Sequence, residues 1–415
     1  MNSALAALLG LVLAIVLIIR KFSPVYSLML GALVGGLLSG IGLPETVDRM
    51  LAGIKDISPA ILRILAAGVL SGALIKTGAA ASISYSVVNG LGQRHVYLAI
   101  AFSAMLLTAV GVFVDVAVIT VAPIALMLGK RLSISKMKLL LAMIGGAKCG
   151  NIMSPNPNTI IAAENYNASL PSVMGAGVIP GLIGLIVTVY VILPLISSKD
   201  TQVTYEDETV EDELLPSFFA SLAGPLAAIV LLALRPIFGI VIDPAIALPA
   251  GGLITILATR SWNRTAECMT FGLEKMSVVA ILLVGTGTIA GIIKESAIKD
   301  VLISMLSGWE AGGLLMAPIS SILMSAATAS TTAGATISSA SFSQTVLASG
   351  VASVWAAAMT NAGATVLDHL PHGSFFHATG GSVGMSIKER IRLIPYESAV
   401  GLVLTVMTVL IALLR

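Results

Sequence analysis

Asp115 stands in Gly111-Val112-Phe113-Val114-Asp115-Val116-Ala117-Val118 and is the only carboxylate between Asp56 and Glu164. Placing a charged side chain in a bilayer costs on the order of 2.5–3.5 kcal/mol, and acids that persist there commonly carry protons or meet substrates. Asp115 is therefore expected to couple protons to the site or to position what binds there. A second cluster, Gly150-Asn151-Ile152-Met153-Ser154-Pro155-Asn156-Pro157-Asn158-Thr159, gathers turn-formers and amides between apolar flanks. Its prolines lack N–H donors and free nearby carbonyls, while Asn156, Asn158 and Thr159 offer neutral donors and acceptors to an anion. A helix restarting after this break would aim its positive N-terminus at the same place.

The later part of the chain has its own polar clusters. Thr328, Ser330, Thr331, Thr332, Gly334 and Thr336 set hydroxyls of little bulk close together. Small residues also serve helix packing, so Thr331 and Thr332 are the members expected to touch a ligand. Asp368, His369, His372 and His377 follow in Leu367-Asp368-His369-Leu370-Pro371-His372-Gly373-Ser374-Phe375-Phe376-His377, with three of the four histidines. His369 and His372 are expected to hold an anion, and His377 reads as an interfacial residue. The spacing matches no zinc signature, and no metal or cofactor is expected.

Elements that could position these groups must cross a membrane. Of the 415 residues, 57% are hydrophobic and 11% charged, against roughly 25% charged in a soluble domain. A net charge of +2 and two cysteines exclude a nucleic-acid binder, a disordered chain and a disulfide scaffold. Ala, Leu, Ile, Val and 40 glycines suit packed helices better than a lipid-facing barrel. Apolar runs near the ~20 residues that a span needs occur at 4–19, 26–43, 57–75, 173–196, 218–234, 237–258, 278–293 and 394–414. Arg20 and Lys21 follow the first run, the reverse of a cleavable signal, so that run is expected to stay as a helix.

The two halves share a period. Gly35-Gly36-Leu37 recurs as Gly251-Gly252-Leu253, Lys76 as Lys294, Pro155 as Pro371 and Ile179-Pro180 as Ile394-Pro395, at offsets of 215 to 218. This predicts an all-α polytopic protein with repeats at 1–197 and 217–415, joined by an acidic cytoplasmic linker at 198–216. Seven of the 21 carboxylates fall in that linker. If 96–129 is a re-entrant hairpin, 15 of the 23 Lys and Arg, among them Lys388, Arg390 and Arg392, share one side; a single crossing gives 11 against 12. Each half is therefore expected to have five crossings plus a hairpin (96–129 and 314–344) and a broken helix (137–165 and 349–379). An odd number of crossings inverts the second half and puts both termini on the outer, periplasmic side, with the binding site near the midplane.

No ATP-binding loop, zinc-protease helix or Gly-x-Ser-x-Gly turn is present. Transport would then depend on an ion gradient, with sodium as the alternative to protons. An intramembrane enzyme using His369, His372 and Asp368 as acid, base and orienter would lack a nucleophile motif, so the chain is read as no enzyme.

At these residues the chain resembles the gluconate permease family, proton symporters for gluconate and related sugar acids within the ion transporter superfamily. The likeness runs through Phe113-Val114-Asp115-Val116 with Pro123, the proline-rich break with Asn167-Ala168, and Asp368-His369 leading to Gly373 and Phe375-Phe376, with 384–388 beyond. The family usually has Glu at the place of Asp115, Pro-Pro-His-Pro-Gly-Pro where this chain reads Ser154-Pro155-Asn156-Pro157-Asn158-Thr159, and His-x-Asn-Asp in place of His369-Leu370-Pro371-His372. The charged groups around the pocket are thus rearranged, and the likeness implies the transporter class rather than gluconate itself. It further implies a bacterial inner-membrane homodimer, with a scaffold domain and a moving, elevator-type transport domain carrying both hairpins.

Overall fold

The computed structural model describes residues 3–92, 95–196, 215–297, 312–371 and 373–414. His372 and residues 198–214 of the acidic linker, both singled out in the sequence, lie outside the described residues. Every regular element among the described residues is helical. The first half runs α1 (Ser3–Ile19), α2 (Pro24–Leu38), α3 (Leu43–Lys76), α4 (Ala79–Leu91), α5 (Val96–Ala109), α6 (Val114–Leu132), α7 (Lys136–Asn151), α8 (Pro157–Asn165) and α9 (Leu170–Val187), the last extended by a π-turn at Thr188–Ile192. The second runs α10 (Phe218–Phe238), α11 (Pro244–Ala258), α12 (Thr265–Lys294), α13 (Gly312–Thr328), α14 (Thr331–Ala348), α15 (Ser353–Gly363), α16 (Ser374–Ser382), the short α17 (Ile387–Ile391) and α18 (Ile394–Leu413).

Among the described residues, four helical segments are long and apolar enough to cross a membrane: Leu43–Lys76, Leu170–Leu195, Trp262–Lys294 and Ile387–Leu413. The apolar runs at 57–75 and 278–293 mark only the C-terminal parts of α3 and α12, whose N-terminal parts carry charged residues such as Glu45, Asp48, Arg49 and Glu267.

These two long helices form the spine of one packing group, with α2 and α11 against them and α1 and α10 outside. Their contact depends on missing side chains: a Cβ on Gly53 would lie 2.0 Å from the Gly287 carbonyl oxygen, and one on Gly272 2.0 Å from that of Gly68. Backbones approach this closely where a glycine removes the intervening side chain. Lys76 of α3 pairs with Glu267 of α12 at 3.1 Å, and Lys294 of α12 with Asp56 of α3 at 2.7 Å.

A second group contains α5 to α9 and α13 to α18. α7 is its most enclosed element, buried from Met137 onward apart from Lys138. Two helical pairs turn back sharply inside this group. α5 gives way to α6 through Val110–Phe113 with Gly111 at φ 106°, and α13 to α14 through Ala329 at φ 46°.

Candidate functional site

The polar clusters of the sequence meet between the turns and breaks of the second group. α7 stops at Asn151 and α8 starts at Pro157, where the fixed proline φ suits a first helical position. Asn156 caps α8 by accepting from the Thr159 N–H at 3.0 Å and from the Thr159 hydroxyl at 3.0 Å, and it donates to the Asn151 carbonyl at 2.7 Å. Asn156 and Thr159 are thereby spent on holding the break.

Asn158 faces the other way, into a cavity of about 160 Å³. Phe113 and Asp115 from the α5–α6 side, Asn151, Ser330, Thr331 and Thr332, Asp368, and Ser374 and Phe375 at the start of α16 line it as well. Three helices, α6, α14 and α16, have first-turn residues in the lining of this cavity, and the positive end of a helix dipole favours an anion; the first turn of α14 is capped by Ser330, which accepts from the Ala333 N–H at 3.2 Å. Thr332 donates to Asn158 Oδ1 at 3.3 Å, and Asn158 donates to Asn361 Oδ1 at 2.9 Å. Asn361 in turn donates to the Thr159 hydroxyl at 2.9 Å, so a single chain of hydrogen bonds joins both halves. Asp115 occupies the first turn of α6, where a carboxylate complements the helix dipole.

Behind the cavity lies a chain of buried charges. Asp368 accepts from Thr331 at 2.6 Å on Oδ2, while its Oδ1 pairs with Lys148 Nζ at 2.6 Å and lies 2.9 Å from His369 Nδ1. Lys148 Nζ also donates to the Thr365 carbonyl at 2.5 Å and sits 3.0 Å from His369 Nδ1. The other ring nitrogen of His369 meets the Ile394 carbonyl at 3.1 Å and the Ser398 hydroxyl at 3.2 Å. Glu397 Oε2 is 3.9 Å from Nδ1, and Arg390 holds the Glu397 carboxylate by donating from Nη1 to Oε1 and from Nη2 to Oε2 at 3.0 Å while stacking over Phe376 at 4.9 Å. Lys148, His369 and Glu397 are each 0% exposed, Arg390 1% and Asp368 4%.

Of the residues expected from sequence to bind substrate, Asn158, Thr331 and Thr332 line the cavity together with Asp115. Asn156 and Thr159 support it from the break, and His369 lies behind Asp368. His377 is exposed and donates to the Pro371 carbonyl at 2.9 Å, away from the site. Arg390, counted from sequence among the cytoplasmic basic residues, is instead interior. Lys148, Asn361, Glu397 and Arg390 escape the sequence reading. An ionisable residue within an apolar stretch is the signal for Lys148, the same one that marks Asp115.

A larger cleft of about 320 Å³ separates α3 and α12 from α14 and the end of α8; Asp56, Glu164, Lys294 and Gln344 line it. Near it, Arg63 of α3 pairs with Glu164 of α8 and, at 2.9 Å, with Asp243, the N-cap of α11.

The chain is 55% identical over 410 residues to an uncharacterized transporter of Haemophilus influenzae, covering 99% of this chain and 98% of the relative. It is 21% identical to a high-affinity gluconate transporter of Escherichia coli K12 over 95% of this chain and 96% of that protein. Its fold is that of a helical transporter: the crystal structure of the Alcanivorax borkumensis YdaH transporter superposes with a TM-score of 0.64 at 14% identity, covering 89% of this chain and 88% of that one. The model of the GntP family permeases matches residues 3–414, nearly the whole length over which the breaks, the turns and the buried charges are distributed, and the chain belongs to that family.

Proposed function

We propose that this permease imports a small organic anion, a sugar acid or related hydroxycarboxylate, together with protons across the bacterial inner membrane. The observation that carries this reading is the cavity where three helix N-termini converge on the amides and hydroxyls of Asn151, Asn158, Thr331 and Thr332. Neutral donors and helix dipoles suit a carboxylate, and the hydroxyl-rich wall suits a polyhydroxylated body. Asp115 faces the same space and couples or positions the substrate, and His372 belongs with the substrate-binding residues. The gluconate transporter among the relatives supports the substrate class.

The mechanism proposed is an elevator built from two inverted repeats, 1–197 and 217–415. Gly53, Gly68 and Gly72 of α3 recur in α12 as Gly272, Gly287 and Gly291, each 219 residues on. Their contacts are reciprocal, Gly53 with Gly287 and Gly272 with Gly68, as a two-fold relation between repeats requires. On this reading α1 to α3 and α10 to α12 are the scaffold, through which the homodimer forms, and the second group moves. Both termini face the periplasm.

Uptake of labelled gluconate and a panel of carboxylates into proteoliposomes, with and without an imposed pH gradient, tests the proposal. Accumulation of one acid driven by the gradient is expected. No gradient-driven uptake of any acid removes the reading, and dependence on sodium at fixed pH replaces the coupling ion.

A further inference from the structure

We propose that the proton accompanying the substrate is bound by the His369–Lys148 pair behind the cavity, with Asp115 left to meet the substrate; this rests on the proton-coupled transport proposed above. The argument is one of charge in a dry place. With His369 neutral, Lys148 and Arg390 balance Asp368 and Glu397, and the buried chain sums to zero. In that state Nε2–H donates to the Ile394 carbonyl and the Nδ1 lone pair accepts from the Lys148 ammonium, 3.0 Å away.

One proton from a hydronium ion of the outer solution passes by way of Asp368 at the cavity wall to Nδ1, the hydronium O–H bond breaking to leave water as the N–H bond forms. The new N–H donates to Asp368 Oδ1 at 2.9 Å, and Lys148 keeps its bonds to the same carboxylate and to the Thr365 carbonyl. No covalent bond other than N–H forms, and the proton leaves by the same route when the site faces the cytoplasm. The loaded chain carries one uncompensated positive charge in a region excluded from water, which is unfavourable unless an anion lies close.

The nearest place for that anion is the cavity, because Asp368 lines it and Thr331, also on its wall, donates to Asp368 Oδ2 at 2.6 Å. Proton and anion therefore each favour the binding of the other, a reciprocal coupling. The charged groups facing His369 are Asp368 beside it, Lys148 from α7 and Glu397 from α18, the last already neutralised by Arg390 of α17. Asp115 approaches the cavity from α6 and is partly exposed.

The test uses the full-length protein in proteoliposomes with labelled gluconate, or whichever carboxylate the panel identifies, and reads two fluxes: exchange at equal pH and external alkalinisation on adding the acid. His369→Gln is expected to slow exchange several-fold while abolishing both alkalinisation and pH-driven accumulation. Asp115→Asn is expected to weaken substrate binding while the remaining flux keeps its proton. Alkalinisation by His369→Gln at the wild-type ratio to uptake overturns the proposal, as does its loss in Asp115→Asn with exchange intact. Should His369→Gln not fold, Ser398→Ala, which removes only the hydroxyl on Nε2, changes the ratio of alkalinisation to uptake from that of the wild type, and an unchanged ratio overturns the proposal. Absence of any pH-driven uptake in the wild type defeats the underlying transport reading instead.

Discussion

Lys148 and Asp368 are each nearly sealed from solvent, so each is the other's main compensation. Removing one partner of such a pair typically costs about 3–5 kcal/mol because a charge is stranded. Lys148→Met should therefore lower the thermal midpoint of the detergent-solubilised protein sharply, while Lys148→Met with Asp368→Asn recovers much of that loss and no transport. A single variant as stable as the wild type would contradict the burial on which the pair depends. Asn158→Ala acts differently. It deletes bonds to Thr332 and Asn361 at the cavity wall; loss of about 1 kcal/mol of binding should raise KM several-fold, and the buried Asn361 acceptor left without its donor should also lower the thermal midpoint, by less than Lys148→Met does. Asp368, His369, Asn158 and Thr331 are legible in the sequence because polar groups are scarce in apolar surroundings. Lys148 is obscured: a lysine near a helix end ordinarily reads as one that snorkels to the interface, and its partner is 220 positions away. Asn156 is ambiguous for a related reason, since a residue before Pro157 serves equally as ligand or cap, and the capping bonds appear only once the helix is seen.

At the scale of elements, the half-helix α8 is tied to the first packing group by Arg63, which grips Glu164 at its C-terminal end and Asp243 before α11. If the second group moves, these bonds belong to one position of that movement. The side chains are 26% to 40% exposed, so their worth is limited to about 1 kcal/mol. Glu164→Gln should then depopulate the present position roughly five-fold, by the usual relation of free energy to population. Gln344→Cys reports it, because residue 344 lines the cleft and the native Cys149 and Cys268 are buried. Its labelling by a membrane-impermeant maleimide should slow in the Glu164→Gln background, and an unchanged rate would deny the tie a role in the movement. The Arg63 hydrogen bond holds the Asp243 carboxyl below its ordinary range. The Asp243 contribution is thus complete at neutral pH, declines as pH falls from the ordinary carboxylate range toward the lowered pKa, and is gone below it. The breaks around α8 and α16 are foreshadowed by proline and glycine. The Arg63 tie is not, since its three members come from unrelated stretches of chain.

For the whole molecule, the proposed repeat rests in the sequence on a spacing of like residues, whereas the way the halves engage is a long-range contact that no local pattern encodes. The glycines of α3 and α12 supply the link: their backbones touch only because six positions lack side chains, and the contact alternates between the halves. Gly53→Ala and Gly272→Ala place a methyl about 2.0 Å from a backbone carbonyl, and backbone that must part to admit it costs typically 1–3 kcal/mol. Because the same helices carry the Lys76–Glu267 and Lys294–Asp56 pairs, separation at either glycine strains contacts contributed by both halves. Each substitution should lower the thermal midpoint to a similar degree, as equivalent positions of a duplicated unit would. Gly175→Ala, where a methyl meets nothing within 4 Å, should leave the midpoint in place. Size-exclusion profiles of detergent extracts heated over a temperature series separate the outcomes. Equal tolerance at all three positions would mean that the spine does not depend on close approach. Damage at only one of the two seam positions would instead break the equivalence on which the inverted-repeat reading relies.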